Sequence, residues 1–393
     1  MPTDGGSPHQ GEVGGTADHP PARLATGRPA VTPRDHRAAG GRIELLTEGD
    51  ALYAAMAQAI AAARRRIGLA SYILAADAIG EPLLDLLMER ARAGVDVRIQ
   101  VDAVGSAGLL PRRWQRRLEA AGVRVHRFHR WRWRDPLRFN RRDHRKLLAI
   151  DAAVAFMGGF NIHRQASLRH SGPQRWRDTH VRLTGALATD AEVLFDAFWR
   201  GELDWAPPAR PPNAVRLLPN SSRHCRRILR CAYRDAIAAA SQRVWLTTPY
   251  FVPDSGMRRL LTGAAGRGVD VRILTTQRTD ARLARWAAHA IYPELLGQGV
   301  RIYEYLPRLL HAKTLLIDTD WTSIGTANFD YRSLFTNYEL TLLTSSRLLA
   351  QALETQFLLD LDEAVEMTAA QWSRRKLPDK LAAGIGHRLR RWL

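Results

Sequence analysis

Cysteine is almost absent from this chain: 393 residues contain two, Cys225 and Cys231. Their spacing suits two faces of one helix better than a metal knuckle, and two are too few for a disulfide framework. A reducing, cytosolic compartment is the expectation. Long apolar runs are missing as well. No uncharged apolar stretch of roughly 18 residues occurs, so no membrane-crossing helix is expected. The opening "MPTDGGSPHQGEVGGTADHPPARLATGRPA" has no apolar core, which argues against a secretory signal. Acidic side chains are in short supply: 39 Asp and Glu face 58 Lys and Arg, giving +19 and a pI near 10.9. Such an excess points to a polyanionic partner, either nucleic acid or an anionic membrane surface. A membrane partner would be met at its surface rather than crossed.

What is plentiful is material for a core, since 46% of the residues are hydrophobic. The length allows two domains or one bilobal unit. Residues 1–40 are rich in Gly, Pro and Thr without periodicity and read as a disordered leader. From "RIELLTEGDALYAAMAQAIAAARRRIGLASYIL" onward, short strands rich in Val, Ile and Leu alternate with helical patterns. "DWAPPARPPNAVRLLPN" carries five prolines and reads as a linker.

The second half repeats the first. "AIAAARRRIGLASYIL" at 59–74 answers to "AIAAASQRVWLTTPYF" at 236–251, and "GVDVRI" occurs at both 94–99 and 268–273. His-x-Lys pairs stand at 144/146 and 311/313, an offset of 167 that Asn161 and Asn328 share. This period is far too long for a solenoid, so two copies of one α/β unit are expected. The expected boundaries are a leader over 1–40, repeats over 41–205 and 221–362, a linker over 206–220, and a basic tail over 363–393.

In an extended strand, residues two apart project to one side. His144 with Lys146, and His311 with Lys313, should therefore emerge together while Leu147 faces the packing. Asp151 and Asp318 follow each histidine at the same distance, and then "AFMGGFN" and "TSIGTAN" bring the chain back to an asparagine. Each half offers an imidazole, an ammonium and a carboxamide. Apposed, the halves would supply a nucleophile, a proton donor and several donors for phosphoryl oxygens. One such strand alone reads as a basic hairpin edge; two with matching offsets do not.

"HRKLLAID…GGFN" and "HAKTLLID…GTAN" resemble the paired HxKxxxxD…GxxN motifs of the phospholipase D superfamily. "GGFNIHRQ", "WRDTHVRLTG", "TTPYFVPD" and "GTANFDYRSLFTNYEL" resemble its bacterial cardiolipin synthases, and the likeness covers about residues 42–360. The resemblance implies a phospholipase D fold: tandem pseudo-symmetric α/β repeats, mixed sheets flanked by helices, and an active site where the repeats meet. It implies that His144 attacks phosphorus and that His311, initially protonated, serves the leaving and incoming oxygens. Lys146, Lys313, Asn161 and Asn328 would hold phosphoryl oxygens, with Gly159 and Thr326 at close approach to phosphate. Asp178 and Glu339 would orient the histidines and raise the imidazole pKa. Asp151 and Asp318 complete the catalytic motifs, with bracing of their turns as the expected part. No metal or cofactor is implied. Gln165 stands where the resemblance calls for an acidic residue.

The segment "RVHRFHRWRWRDPLRFNRRDHRK" holds nine arginines, interleaved with aromatics. Trp131, Arg132, Trp133 and Arg134 have the composition of an anchor in anionic lipid, which a nucleic-acid backbone could also use. "LPDKLAAGIGHRLRRWL" reads as a short basic amphipathic helix or an ordinary surface helix. The leading expectation is a phosphatidyltransferase on the cytoplasmic membrane face, making cardiolipin from phosphatidylglycerol with a second lipid as acceptor. Phospholipid is its expected substrate and an anionic membrane its partner, with no obligate protein partner indicated. The rivals are a hydrolytic phosphodiesterase, including a nuclease, and a membrane scaffold with a dead site.

Overall fold

The computed structural model describes residues 35–38, 41–129, 140–203, 214–279 and 281–373. Its first sheet comprises β1 (Asp35–Ala38), β2 (Gly41–Leu46), β3 (Arg66–Ser71), β4 (Asp96–Asp102), β5 (Arg124–Phe128), β6 (Leu147–Ile150), β7 (Val154–Gly158) and β8 (His180–Thr184). They lie in the order β1-β2-β8-β7-β6-β3-β4-β5. β3, β4 and β5 run parallel, joined through the helices Gly80–Arg92 and Arg112–Ala120, while β6, β7, β8 and β2 continue antiparallel.

The later strands are β9 (Arg216–Pro219), β10 (Arg243–Thr247), β11 (Phe251–Val252), β12 (Asp270–Thr276), β13 (Arg301–Tyr305), β14 (Thr314–Ile317), β15 (Trp321–Gly325), β16 (Phe329–Asp330), β17 (Leu340–Ser345) and β18 (Ala364–Met367). β11 and β16 pair with each other, and the rest form a sheet ordered β18-β13-β12-β10-β14-β15-β17-β9. Read from β5 to β2, the first sheet has the same succession as β13 to β9 in the second. The repeated sequence has become repeated topology, a mixed α/β fold of two like sheets.

Both halves bury each sheet on two faces. In β6, Leu148 and Ile150 join a core belonging to the first half, whereas Leu147 and Ala149 point into a core shared between the halves. That shared core sets Val181, Leu183 and the helix Ala186–Trp199 against Leu217, Leu340, Leu342 and the helix Arg347–Leu361. The period-two burial of a strand thus gives each motif strand one face for its own repeat and one for its partner.

Some boundaries differ from the sequence expectation. Residues 216–219, placed in the linker for its prolines, form edge strand β9 on β17 despite Pro219. Proline is tolerated there because an edge strand leaves donors unused. β1 falls in the expected leader, and β18 with the helix Ala369–Ser373 falls in the expected tail. The rest of the leader, residues 204–213 of the linker region, the tail from residue 374, and Trp131, Arg132, Trp133 and Arg134 lie outside the described residues. Cys225 and Cys231, which the spacing set on one helix, both lie on Arg223–Ala239, and neither is in a disulfide.

Candidate active site

The alternation argument puts each His-x-Lys pair within a strand, and the structure puts neither in one. Each occupies the extended lead-in before β6 or β14. The lead-in is straight because it pairs with the other half of the molecule. His144 N–H donates to Tyr338 O (2.9 Å) and Tyr338 N–H to Arg142 O (2.9 Å). Symmetrically, His311 N–H donates to Arg177 O (2.7 Å) and Arg177 N–H to Leu309 O (2.9 Å). The residue after each of these partners is the other half's acid, so the crossing brings each histidine to a carboxylate of the opposite repeat.

That carboxylate takes the histidine's Nδ1. Glu339 Oε2 lies 2.9 Å from His144 Nδ1, and Asp178 Oδ2 lies 2.6 Å from His311 Nδ1. An ionised carboxylate only accepts, so each Nδ1 carries the proton and each Nε2 is left for chemistry. Lys313 Nζ is 2.7 Å from His311 Nδ1, but with that nitrogen's proton directed at Asp178 the ammonium donates to His311 O instead. Lys146 Nζ likewise donates to His144 O (2.8 Å). The imidazole centroids are 6.4 Å apart. Both rings line a cavity of about 330 Å³ with Asn161, Asn328, Tyr72, Trp176 and Tyr250 among its walls.

The asparagines differ in what they offer. Asn161 Oδ1 accepts Ile73 N–H (3.0 Å), which leaves its NH₂ available to an oxygen in the cavity. Asn328 bonds the Asp330 carboxyl, and its Oδ1 has no partner among the described residues. Thr326, expected against phosphate, is instead wholly buried behind the histidine. Its hydroxyl donates to Glu339 Oε2 (2.6 Å) and accepts Leu340 N–H (2.9 Å). Gly159, its counterpart, abuts Asp178 so closely that an added Cβ would sit 1.8 Å from Oδ1. Both residues serve the carboxylate rather than the substrate.

Asp151 and Asp318, grouped with the catalytic motifs but expected to brace their turns, stand at the far ends of β6 and β14, roughly 20 Å from the histidines by strand rise. Asp151, at φ 53°, accepts the N–H groups of Arg64, Arg65 and Arg66 at 2.8, 2.9 and 2.7 Å. Asp318 does the same for Ser241, Gln242 and Arg243. Burial pushes both carboxyls up, but the backbone donors outweigh it and hold them below the ordinary carboxylate range. They are turn braces and contribute no atom to the cavity.

Electrostatics also depart from expectation. Burial and the Lys313 ammonium push His311 down to about 4, and Asp178 only partly offsets them. Burial lowers His144 as well, against the pull of Glu339. Lys146 falls to about 7, through burial and then the neighbouring Lys313 charge. Desolvation and like charge thus win over the orienting carboxylates, and the free site holds neutral imidazoles. Glu339 and Asp178 stay ionised: burial works against them, and His144 and Lys313, respectively, lead the groups that overcome it.

Rigid braces hold the constellation. Arg145 is fully buried, forks onto Asp143 (2.9 and 3.0 Å) and lies 3.4 Å over Phe198, while Gln100 donates to Asp143 (2.6 Å). Arg177 forks across the repeats onto Asp360 (3.0 and 2.9 Å). Tyr72 meets His144 edge-on at 4.9 Å, and Trp176 lies 5.3 Å from His311. The two rings escaped sequence reasoning, although Trp176 stands in the quoted "WRDTH". Among the described residues no cluster of three His, Cys, Asp or Glu side chains is placed to hold a metal ion.

Comparison with known proteins adds independent weight. The family model described as cardiolipin synthase, PLD-like domain, matches residues 56–197 and 233–361. Cardiolipin synthase A of Pseudomonas putida (strain GB-1) is 35% identical over 339 residues, covering 84% of this chain and 71% of the relative. The chain belongs to the cardiolipin synthase family of phospholipase D-like transferases. A probable cardiolipin synthase of Bacillus subtilis is 30% identical over 355 residues, covering 86% of this chain and 69% of its own. Among solved structures, phosphatidylserine synthase of Haemophilus influenzae superposes with TM-score 0.69 at 12% identity, over 92% of this chain and 98% of that one. Polyphosphate kinase of Porphyromonas gingivalis gives TM-score 0.60 at 14% identity, over 84% and 49%. These last likenesses establish the fold shared by this cardiolipin synthase family member and enzymes with other names.

Proposed function

We propose that this chain transfers a phosphatidyl group from phosphatidylglycerol to a second phosphatidylglycerol, yielding cardiolipin and glycerol. The observation that carries the reading is the crossed pair of histidines. Each is oriented through Nδ1 by the opposite repeat, and both line one cavity with two lysines at their feet. His144 Nε2 attacks phosphorus, and the bond to the glycerol headgroup oxygen breaks. That oxygen takes a proton from His311. In the second half, the acceptor hydroxyl returns a proton to His311, its oxygen attacks phosphorus, and the bond to His144 breaks.

The lowered His311 value gives this sequence an order. In the free site the imidazole is neutral, so the acid must be charged when substrate arrives. A phosphodiester monoanion beside the ring opposes the lysine charges and favours protonation. Lys146, Lys313 and the Asn161 amide then supply donors to its non-bridging oxygens. Asn328 joins them by turning its amide, trading the Asp330 bond for phosphate.

A basic excess of +19 supports action at an anionic lipid surface, as does the Arg- and Trp-rich sequence before the first motif. No helix among the described residues is long and apolar enough to cross a membrane. We place the chain peripherally on the cytoplasmic face. Labelled phosphatidylglycerol given to the purified protein should yield cardiolipin and glycerol. Phosphatidic acid as the sole lipid product would favour the hydrolase instead, and cleavage of DNA without lipid turnover a nuclease.

A further inference from the structure

Joining two phosphatidyl groups through glycerol imposes a geometric demand that hydrolysis does not. The acceptor carries its own phosphate, a single glycerol unit from the hydroxyl that reacts. A transferase of this kind therefore needs a second anion site within reach of the first, opening into the same cavity. Water or a simple alcohol needs none.

One wall of the cavity meets that demand. Arg332, Ser333 and Asn337 line it together with Arg142. Arg332 donates to Asn140 Oδ1 (3.0 Å) and Asn140 O (2.9 Å), two neutral acceptors that fix the guanidinium without neutralising it. Arg142 is buried at its back, held by Asp102 (3.4 Å) and His129 O (3.0 Å). Burial pushes Arg142 down, Asp102 works against that, and the Arg332 charge adds to it, and both residues line the one cavity. Asn337 Oδ1 is more than nine-tenths buried and has no partner among the described residues, and the equally buried Ser333 hydroxyl sits beside the Asp330 carboxyl. Apart from the histidines and asparagines, the lining is completed by the buried Asp330 carboxyl, four apolar or aromatic residues and two alanines. A cavity with two guanidinium groups in its lining and an unsatisfied buried amide oxygen is shaped for a polar ligand.

From this we infer that Arg332, backed by Arg142, receives the phosphodiester of the acceptor lipid, and that Ser333 and Asn337 bind the hydroxyls of its glycerol headgroup. The guanidinium fork suits a phosphate held at fixed distance from the reacting oxygen. Arg332 is thus a specificity residue for an anionic acceptor. The inference rests on the phosphatidyltransferase reading above, and its test separates the two.

Phosphatidylglycerol vesicles containing ethanol offer the enzyme both an anionic lipid acceptor and a small neutral one in the same reaction. The ratio of cardiolipin to phosphatidylethanol reads the acceptor subsite alone, because donor binding and the first chemical step are common to both products. Arg332→Gln should lower that ratio about 10- to 100-fold, the worth of a lost charged hydrogen bond, while total phosphatidyl turnover falls far less. Asn337→Ala should lower it in the same direction by a smaller factor. An unchanged ratio in Arg332→Gln would overturn the acceptor site while leaving the transferase standing. Wild-type protein that makes phosphatidylethanol but no cardiolipin would overturn the underlying reading, and the acceptor site with it.

Discussion

The two histidines stand on equivalent extended lead-ins yet live in different surroundings. His144 keeps some access to solvent, with 12% of its side chain exposed, and its acid is a glutamate whose reach is steadied by the Thr326 hydroxyl. His311 is more enclosed at 7%, and its acid is the shorter aspartate, seated against the bare backbone of Gly159. Lys313 presses directly on His311, whereas Lys146 lies farther from its own imidazole and beside the Tyr72 face at 5.4 Å. The difference teaches that two copies of one motif have been packed differently, and the division of roles proposed above rests on that packing. The accessible, partly solvated imidazole suits attack. The enclosed one, whose charge depends on its anionic neighbour, suits proton transfer gated by substrate.

Removing an orienting carboxylate should break the comparison most severely. Asp178→Asn and Glu339→Gln should each cut kcat about 10³- to 10⁴-fold, since an amide can present the wrong hydrogen-bonding group to Nδ1. Equal damage from both, measured on steady-state turnover, is expected because both half-reactions need both histidines. A loss below tenfold in either would mean that the tautomer is set elsewhere.

The residues behind those acids should respond unequally. Gly159→Ala drives a methyl into the Asp178 carboxylate, so it should reduce turnover about 100-fold or more by displacing the acid. Thr326→Ala removes one hydrogen bond to Glu339 and should cost about tenfold. Reversal of that order would contradict the placement of Thr326 behind the carboxylate and put it in contact with substrate.

The smallest effect concerns pH. Lys146, at about 7, loses its charge as pH rises through that value. Its phosphate contact is therefore present below pH 7 and fades above it, giving kcat/KM of the free enzyme an alkaline limb near neutrality. Lys146→Arg keeps its charge throughout. It should lower the plateau yet move the limb upward, and a limb unmoved in this variant would assign it to another group.

Much of this was legible before any coordinates. The repeat, the α/β alternation and the motif residues were carried by local spacing, which sequence displays directly. What local spacing could not show was the crossing itself. His144 meets Glu339 and His311 meets Asp178 only because two extended lead-ins pair across the halves, a contact between residues far apart in the chain. The bracing part of the motif aspartates was legible for the opposite reason: Asp151 follows His144 by one short strand, which carries it away from the cavity to its own turn. The expected rise in imidazole pKa failed because a carboxylate partner is visible in sequence while burial and a second lysine are not. Arg332 passed unnoticed inside "GTANFDYRS", since nothing in the string says that it borders the same cavity as both histidines.

The division of roles is tested most directly by trapping the covalent intermediate. Wild-type protein, His144→Ala and His311→Ala should be mixed with phosphatidylglycerol labelled in its phosphate, quenched under alkaline denaturing conditions and mapped by mass spectrometry. The account predicts label on His144 in the wild type, slow but persistent label on His144 in His311→Ala, and none in His144→Ala. Label on His311 in the His144→Ala protein, or in the wild type, would contradict it and exchange the nucleophile with the acid.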